Sequence, residues 1–399
     1  GYNLQATDVD QYVLDNTLNV SNKKGFLNLL QIFAGIPTYG NEQGLRDLSN
    51  HRTREYQQNG LIDVVLYPTD EETSTSGHSG ANVDVFIEQD VYFDPNEDSL
   101  FKFTAPKKVI AKRLGSDREA YVQLTPEEEI QIYAMCGKSG LHLPNTRIIP
   151  EPRPIVGGPN SSKKPNPWLL IDYVEGIDIA DVLESGVTSD ILHAMDLVKI
   201  AADEMHAELK ASESDSFCHN IVNKIKSFYA NEWEITYENA ARSGINLKEA
   251  LSSLDAYFVS CGFDKQILLD LSPNNIKIDY GQDKVAFFDK AYPAYDFKEV
   301  DFAVLLYYNP EFSKENRDDI LNNILNGKSK DQVALTHYSN FKKNIYGYYF
   351  FSEKDQRKSE HRLICAKENL EELEKSISSS DSVYHVVSGL IEQTNEHIF

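Results

Sequence analysis

Basic residues are scarce in this chain: 39 lysines and arginines face 62 aspartates and glutamates, a formal net charge of −23 over 399 residues. A surface of that sign repels phosphate backbones and anionic lipid, so neither nucleic acid nor a membrane surface is an expected partner. Cysteine is scarce too. Cys136, Cys218, Cys261 and Cys365 stand far apart with no CxxC pair, so neither a disulfide framework nor a zinc site is signalled. No apolar run approaches the length of a membrane-spanning helix. The opening GYNLQATDVDQYV carries no charged-then-apolar leader pattern. The expected setting is cytoplasmic, or a host cytosol if the chain is a delivered effector.

What is present suffices for a large core, with hydrophobic residues at 41% and charged residues at 25%. Residues 1–70 read as a mostly helical extension, with a short buried helix over Phe26 to Phe33. From about residue 62 the texture turns strand-like. IDVVLY, ANVDVFIEQDVYF and KKVIAKRL alternate β-branched and aromatic residues between Gly, Asp and Asn breaks, which predicts an antiparallel sheet. TPEEEIQIYAMCGKSG follows as a helix, with Thr125 as cap, Pro126 in the first turn and acids beside them. LPNTRII and WLLIDYVEG then form a long hairpin across a Pro/Gly/Ser-rich loop. After Gly176 the pattern is helical. Ile191, Leu192, Met195, Val198, Met205 and Leu209 recur near helical spacing behind Ser189 or Asp190 as cap, and Asn246 with Glu249 forms a capping-box-like pair. From about 301 the chain is again helical, and SISSSDS is its one low-complexity patch.

The unusual stretch is ILLDLSPNNIKID, residues 267–279. Asp270, Ser272, Pro273, Asn274 and Asn275 interrupt two strongly apolar runs. NIKID and KVAFFD read as two strands joined by the turn YGQD. A strand–turn–strand unit brings its open ends together, so Asn275 and Asp289 are expected neighbours. Two oxygen ligands on rigid strands suit Mg²⁺, which leaves further positions to phosphates and water. Asp270, five residues before Asn275, is then placed to orient a hydroxyl and accept its proton. A lone DxxxxN is usually an acidic turn capping its own backbone. The apolar flanks and the returning FFD set this one apart.

A phosphate grip needs a cation. Lys112 in VIAK shares a strand face with Ile110, so its stem can be buried while its ammonium reaches an anion. Glu129 on the following helix is its natural partner, and Glu128 is nearly as good. The competing reading of Lys112 is a surface lysine on an edge strand. GHSGANVDVF, with Gly77 and Gly80, offers backbone amides to phosphates.

In their order, these segments resemble the aminoglycoside phosphotransferase and choline kinase group of the protein-kinase-like fold. GHSGANVDVF is similar to that group's phosphate loop, VIAK to its third-strand lysine motif, and LDLSPNNIKID to its catalytic loop. WLLIDYVEGIDIADVL resembles the hinge, ADEMHAEL with His206 the Leu-His helix, and VAFFDKAYPAYDFKEVDFA the metal-aspartate segment with Asp301 as structural aspartate. The resemblance spans residues 74 to about 305. It implies an α+β, two-lobed protein-kinase-like fold, with a β-rich N-lobe over 71–174, a mainly α C-lobe over 175–399, and extra N- and C-terminal helical segments.

It further implies ATP and Mg²⁺ as cofactors. Asp270 would be the catalytic base, Asn275 and Asp289 the metal ligands. Ser79, Gly80, Lys112 and Glu129 would hold the phosphates, with main-chain atoms around Asp172 and Val174 at the adenine. The implied activity is γ-phosphoryl transfer to a small-molecule hydroxyl. Asp301 follows Asp289 by only twelve residues, too few for a peptide-docking activation segment. The net acidity, with Glu232, Glu234, Glu238 and Glu249 on the middle helices, suits an amine-bearing acceptor. Leu268 stands where the family has His, Leu269 where it has Gly, and Lys290 where an aromatic is usual. Those departures motivate a nucleotide-binding pseudokinase scaffold as an alternative. The unmatched ends motivate another, a protein-directed effector with a partner surface.

Overall fold

Runs of alternating β-branched residues in the first half become strands, and the 3.6-residue runs of the second half become helices. The computed structural model describes residues 61–68, 83–93, 101–103, 105, 107–113, 128, 135, 142, 146–149 and, apart from 187, 214–217, 289–293, 308–312 and 353, residues 168–397. The helix expected near 26–33 and most of that at 125–137 lie outside these residues, although Glu128 and Met135 have helical backbone.

Two units divide the chain: residues 1–129 with 144–173, and 130–143 with 174–399. The first holds one antiparallel sheet. Its strands are β1 (Leu61–Pro68), β2 (Val83–Phe93), β3 (Phe101–Phe103), β4 (Lys107–Arg113), β5 (Thr146–Ile149) and β6 (Trp168–Asp172), in the order β1-β2-β4-β6-β5 with β3 on β2. The expected hairpin is β5 with β6, Thr146 opposite Ile171.

The second unit is mostly helical. A two-residue strand, β7 (Ile177–Asp178), precedes α1 (Ile179–Ser185), a correction to the purely helical reading after Gly176. Helix α2 (Thr188–Glu213) begins before both expected caps. Ser189 and Asp190 lie in its first turn, bonded to each other. Helices α3 (His219–Arg242) and α4 (Leu247–Ser260) follow. Asn246 takes the N-cap position of α4, but its amide bonds the Glu249 carboxylate and caps no backbone group. Strand β8 (Gln266–Ile267), a 3-10 turn (Pro273–Asn275), β9 (Ile276–Asp279), β10 (Lys284–Phe287) and β11 (Tyr295–Asp296) carry the polar hairpin. Five helices complete the unit: α5 (Glu299–Leu306), α6 (Lys314–Leu325), α7 (Lys330–Phe351), α8 (Gln356–Ser376) and α9 (Tyr384–His397). No described helix is long and apolar enough to cross a membrane.

The main core lies among α3, α4, α7, α8 and α9. On α4, Leu247, Ala250, Leu251, Leu254 and Phe258 make one buried stripe. Phe258 stacks on Tyr338 of α7 with ring centroids 5.1 Å apart. Helix α7 begins with a true capping box, the Ser329 hydroxyl accepting from Gln332 N–H and the Gln332 side chain from Ser329 N–H.

Inside this core sits a charged amine. Lys342 of α7 donates to Asp255 Oδ1 at 3.1 Å and lies 2.8 Å from Asp296 Oδ2. Tyr338 and Tyr229 donate to the same two carboxylates at 2.7 and 3.0 Å. The rings of Trp233 and Tyr338 face the ammonium, each centroid 5.6 Å away. Burial disfavours the charge on Lys342, but Asp296 and Asp255 outweigh it and hold the amine above its ordinary value. Burial likewise pushes the Asp255 carboxyl up, and Lys342 and Lys265 bring it below its ordinary value.

Removing the cation leaves two carboxylates buried without it. Lys342→Met is expected to destabilise the fold by about 3–5 kcal/mol, read as a lowered urea midpoint. The pH dependence has a definite sign. The depressed Asp255 contributes stability above its unfolded value of about 4, lost as acid takes it through its folded value. The raised Lys342 contributes below its unfolded value of about 10.4, lost as the pH climbs through its folded one. Wild type should therefore lose stability at both extremes more steeply than Lys342→Met.

Candidate active site

Leu269 and Leu271 are 1% and 0% exposed, while Asp270 between them is only half-buried. The apolar flanks of the polar insert thus anchor it, side chain by side chain, and leave the aspartate partly exposed between them. Leu268 packs with Ala294, Val300 and Tyr229, and its N–H donates to the Ala294 carbonyl at 3.0 Å. Next, the Leu269 N–H donates to Asp301 Oδ2 at 2.7 Å. Asp301 is 1% exposed and sits in the first turn of α5. His206 of α2 closes on it, Nε2 lying 3.0 Å from the same oxygen but poorly angled for a hydrogen bond. The other ring nitrogen of His206 meets the Gln266 amide.

With its neighbours fixed, Asp270 adopts φ 51°, the left-handed region. Aspartate tolerates that region better than most residues, at a cost of about 1 kcal/mol. Its carbonyl accepts from Ser272 N–H at 2.7 Å, and the Ser272 carbonyl from Asn275 N–H at 2.8 Å. Pro273 suits the first position of the 3-10 turn that ends at Asn275.

The hairpin pairs as its sequence implies. Ile276 lies opposite Phe287, and the turn falls at Tyr280 to Asp283. Beyond the ladder, Phe288 N–H donates to the Asn275 carbonyl at 2.8 Å. Both outer edges of the hairpin are covered. Ile177 of β7 pairs with Ile278, and the His142 carbonyl accepts from Phe287 N–H at 3.0 Å. At Gly176, φ is 152°, and a Cβ would lie 2.7 Å from the Ile278 carbonyl oxygen. Only glycine lets the linker after Val174 run this close to the hairpin.

Of the residues singled out by sequence, Asp270 and Asn275 share this one braced loop. Asp172 ends β6 and accepts from Lys107 Nζ at 2.9 Å, and Tyr173 N–H donates to the Lys108 carbonyl. Lys112 lies opposite both Val83 and Leu169, so β4 is an interior strand and the edge-strand reading falls. The side-chain contacts of Lys112, and all of Ser79, Gly80, Glu129, Asp289 and Lys290, lie outside the described residues. Glu128 is half-buried. Among the described residues no three of His, Cys, Asp and Glu gather as a metal site. Glu234, Glu238 and Glu249 are exposed and meet Lys248, Arg242 and Asn246, while Glu232 is buried.

Sequence reading missed Lys343. It is half-buried, and burial lowers its pKa against the opposing pull of Asp270, Asp301 and Glu232.

No family model and no curated protein matches the chain. Solved structures do. An ethanolamine kinase from Plasmodium vivax aligns over 93% of this chain and 93% of its own, at 11% identity and a TM-score of 0.43. A choline kinase from Streptococcus pneumoniae aligns over 82% and 98%, at 13% identity and 0.38. An aminoglycoside phosphotransferase, a thermostable mutant in its apo form, aligns over 84% and 97%, at 11% and 0.39. All three alignments lie below a TM-score of 0.5 and decide nothing further about this chain. The α+β class, with sheet first and helices after, is what the described residues display. Function has to come from the loop.

Asp301→Ala would remove the carboxylate that accepts the Leu269 N–H in a buried place. The expected loss is about 2–3 kcal/mol of stability, with faster amide hydrogen exchange at residues 268–272. Asp301→Asn, which keeps an acceptor oxygen, should lose less.

Proposed function

We propose that the chain is an ATP-dependent phosphotransferase that moves the γ-phosphoryl group to a hydroxyl of a small molecule. The observation that carries the reading is the bond from Phe288 N–H to the Asn275 carbonyl. It closes the open end of the hairpin, with Asn275 five residues after Asp270 and Phe288 one before Asp289 in sequence. A chain folded only for stability has little use for a half-buried aspartate in the left-handed region between two buried leucines.

The donor set fits a hard cation. Asn275 is half-buried at the root of the hairpin, and the two donors the sequence offers there, Asn275 and Asp289, are oxygens. Asn275 and Asp289 would hold Mg²⁺, which when bound offsets charge on the phosphates. Asp270 orients the acceptor hydroxyl and takes its proton. The acceptor oxygen bonds the γ-phosphorus while the bond to the β–γ bridging oxygen breaks, and ADP leaves. Lys112, steadied by Glu129 or Glu128, would neutralise the α and β phosphates. Ser79 and Gly80 would cover them with backbone amides, and main-chain atoms near Asp172 and Val174 would meet the adenine. An amine on the acceptor is a separate expectation, resting on the net charge of −23 once Glu234, Glu238 and Glu249 are seen to have partners in the chain.

The test is phosphate release or transfer from ATP with Mg²⁺, beside nucleotide binding by thermal shift. Asp270→Asn should keep ATP binding within about threefold and lower turnover by about 10³-fold or more. Asp289→Ala should weaken Mg²⁺-dependent binding as well. Equal loss of nucleotide binding in both variants contradicts the roles assigned. ATP binding by wild type without transfer to any alcohol, amino alcohol or protein favours a scaffold instead.

A further inference from the structure

Strand β10 has β9 on one side only, and the free side of such a strand presents N–H and C=O groups that need partners. One residue serves both here. The His142 carbonyl accepts the Phe287 N–H at 3.0 Å, and His142 Nδ1 lies 3.3 Å from the Val285 carbonyl oxygen. The ring nitrogen takes the place that a backbone N–H would hold in a strand bridge across Ala286. The ring also meets Phe287 edge to face, with centroids 6.3 Å apart. Its other nitrogen, Nε2, lies 2.7 Å from Glu204 Oε2 of α2. His142 belongs to the same unit as the hairpin and α2, and it ties the two together. The tie falls just before Phe288, whose N–H closes the hairpin on Asn275, and Asp289 is next in sequence.

Both ring nitrogens of His142 thus face oxygen acceptors, a carbonyl and a carboxylate. Neutral imidazole carries one N–H and cannot donate to both, whereas imidazolium carries two. In the neutral ring the two holds compete. The Glu204 contact is the shorter and its acceptor is charged, so the single hydrogen belongs on Nε2. Nδ1 then turns a lone pair toward the Val285 carbonyl, and the grip on β10 is the one that fails. Among the described residues, the titratable group turned toward the ring is Glu204 from α2. Strand β10 presents to it the Val285 carbonyl and the Phe287 ring. The His142 side chain is 17% exposed and that of Glu204 52%, so water reaches the pair and protons can come and go.

We propose that His142 is a protonation-gated latch on β10. As imidazolium it holds the strand that leads into Asp289; as neutral imidazole it keeps Glu204 and releases the strand. What release does to a bound cation rests on the phosphotransferase reading; the latch itself does not.

The test is amide hydrogen exchange at Phe287 in the full chain without nucleotide, expressed as a protection factor so that the intrinsic pH dependence of exchange cancels. The ring nitrogen-15 shifts of His142 report its own titration in the same samples. In wild type, protection at Phe287 should fall by about three- to tenfold as His142 loses its proton, the equivalent of one hydrogen bond. Glu204→Gln, a change at an exposed side chain, decides the cause. A glutamine amide donates to Nε2 of a neutral ring, whose hydrogen then stays on Nδ1 and keeps the Val285 bond. That variant should protect Phe287 equally on both sides of the titration, and His142→Leu should show the low protection at every pH. Unchanged protection across the titration in wild type, or the same fall in Glu204→Gln, overturns the proposal. If wild type turns over ATP, its half-saturating Mg²⁺ concentration should rise by about threefold across the same step, and that of Glu204→Gln should not. A rise shared by both overturns the proposal as well. Absence of ATP turnover by wild type would count against the phosphotransferase reading and leave exchange at Phe287 to decide the latch.

Discussion

A single buried carboxylate organises the candidate site. Asp301 accepts the Leu269 N–H at 2.7 Å and lies 3.0 Å from His206 Nε2, so one side chain of α5 gathers the loop before Asp270 and the helix α2. Its near-complete burial makes that contact hard to give up, because an unpaired carboxylate or amide in such a place has no water to turn to. The unusual backbone of Asp270 follows from it. With Leu269 held by its N–H and Leu271 by its side chain, the residue between has little freedom, and the chain takes the left-handed turn that aspartate tolerates.

The second constraint is the charged interior behind α3, α4 and α7. Lys342, Asp255, Asp296, Tyr229 and Tyr338 form one network, and Asp296 ends the strand that pairs with β8, directly before the site loop. Fold stability and loop geometry therefore share residues. Such networks are not an efficient way to stabilise a core, since apolar packing often does as well. What they add is a fixed register, here between α7 and the strands that carry the candidate chemistry.

Much of this could be read from the chain. The strands IDVVLY, VDVFIEQDVYF and KKVIAKR and the hairpin around YGQD carry period-two alternation and turn residues, and they form where expected. Leu268 proves to be a packing residue, with the backbone contact to Ala294 supporting the loop. Helix α7 was the element hardest to see. Ser339, Asn340, Lys342 and Asn344 are buried in it, so its polar residues do not mark a solvated face and the 3.6-residue contrast vanishes. Lys343 was hidden for the same reason. Local spacing also misjudged Asn246, whose amide prefers the Glu249 carboxylate to the backbone, and Ile177–Asp178, whose strand exists only through its partner β9.

The central claim is that Asn275 and Asp289 together hold a divalent ion against a triphosphate, with Asp270 beside them. Its most direct test is a crystal grown with a non-hydrolysable ATP analogue and Mn²⁺, in which the metal is located by anomalous scattering. The account predicts a metal peak about 2.1 Å from oxygens of both Asn275 and Asp289 and bound to the phosphates, a distance typical of small hard cations. A nucleotide or metal seated away from this loop, or Asn275 and Asp289 on different faces of the unit, would contradict it.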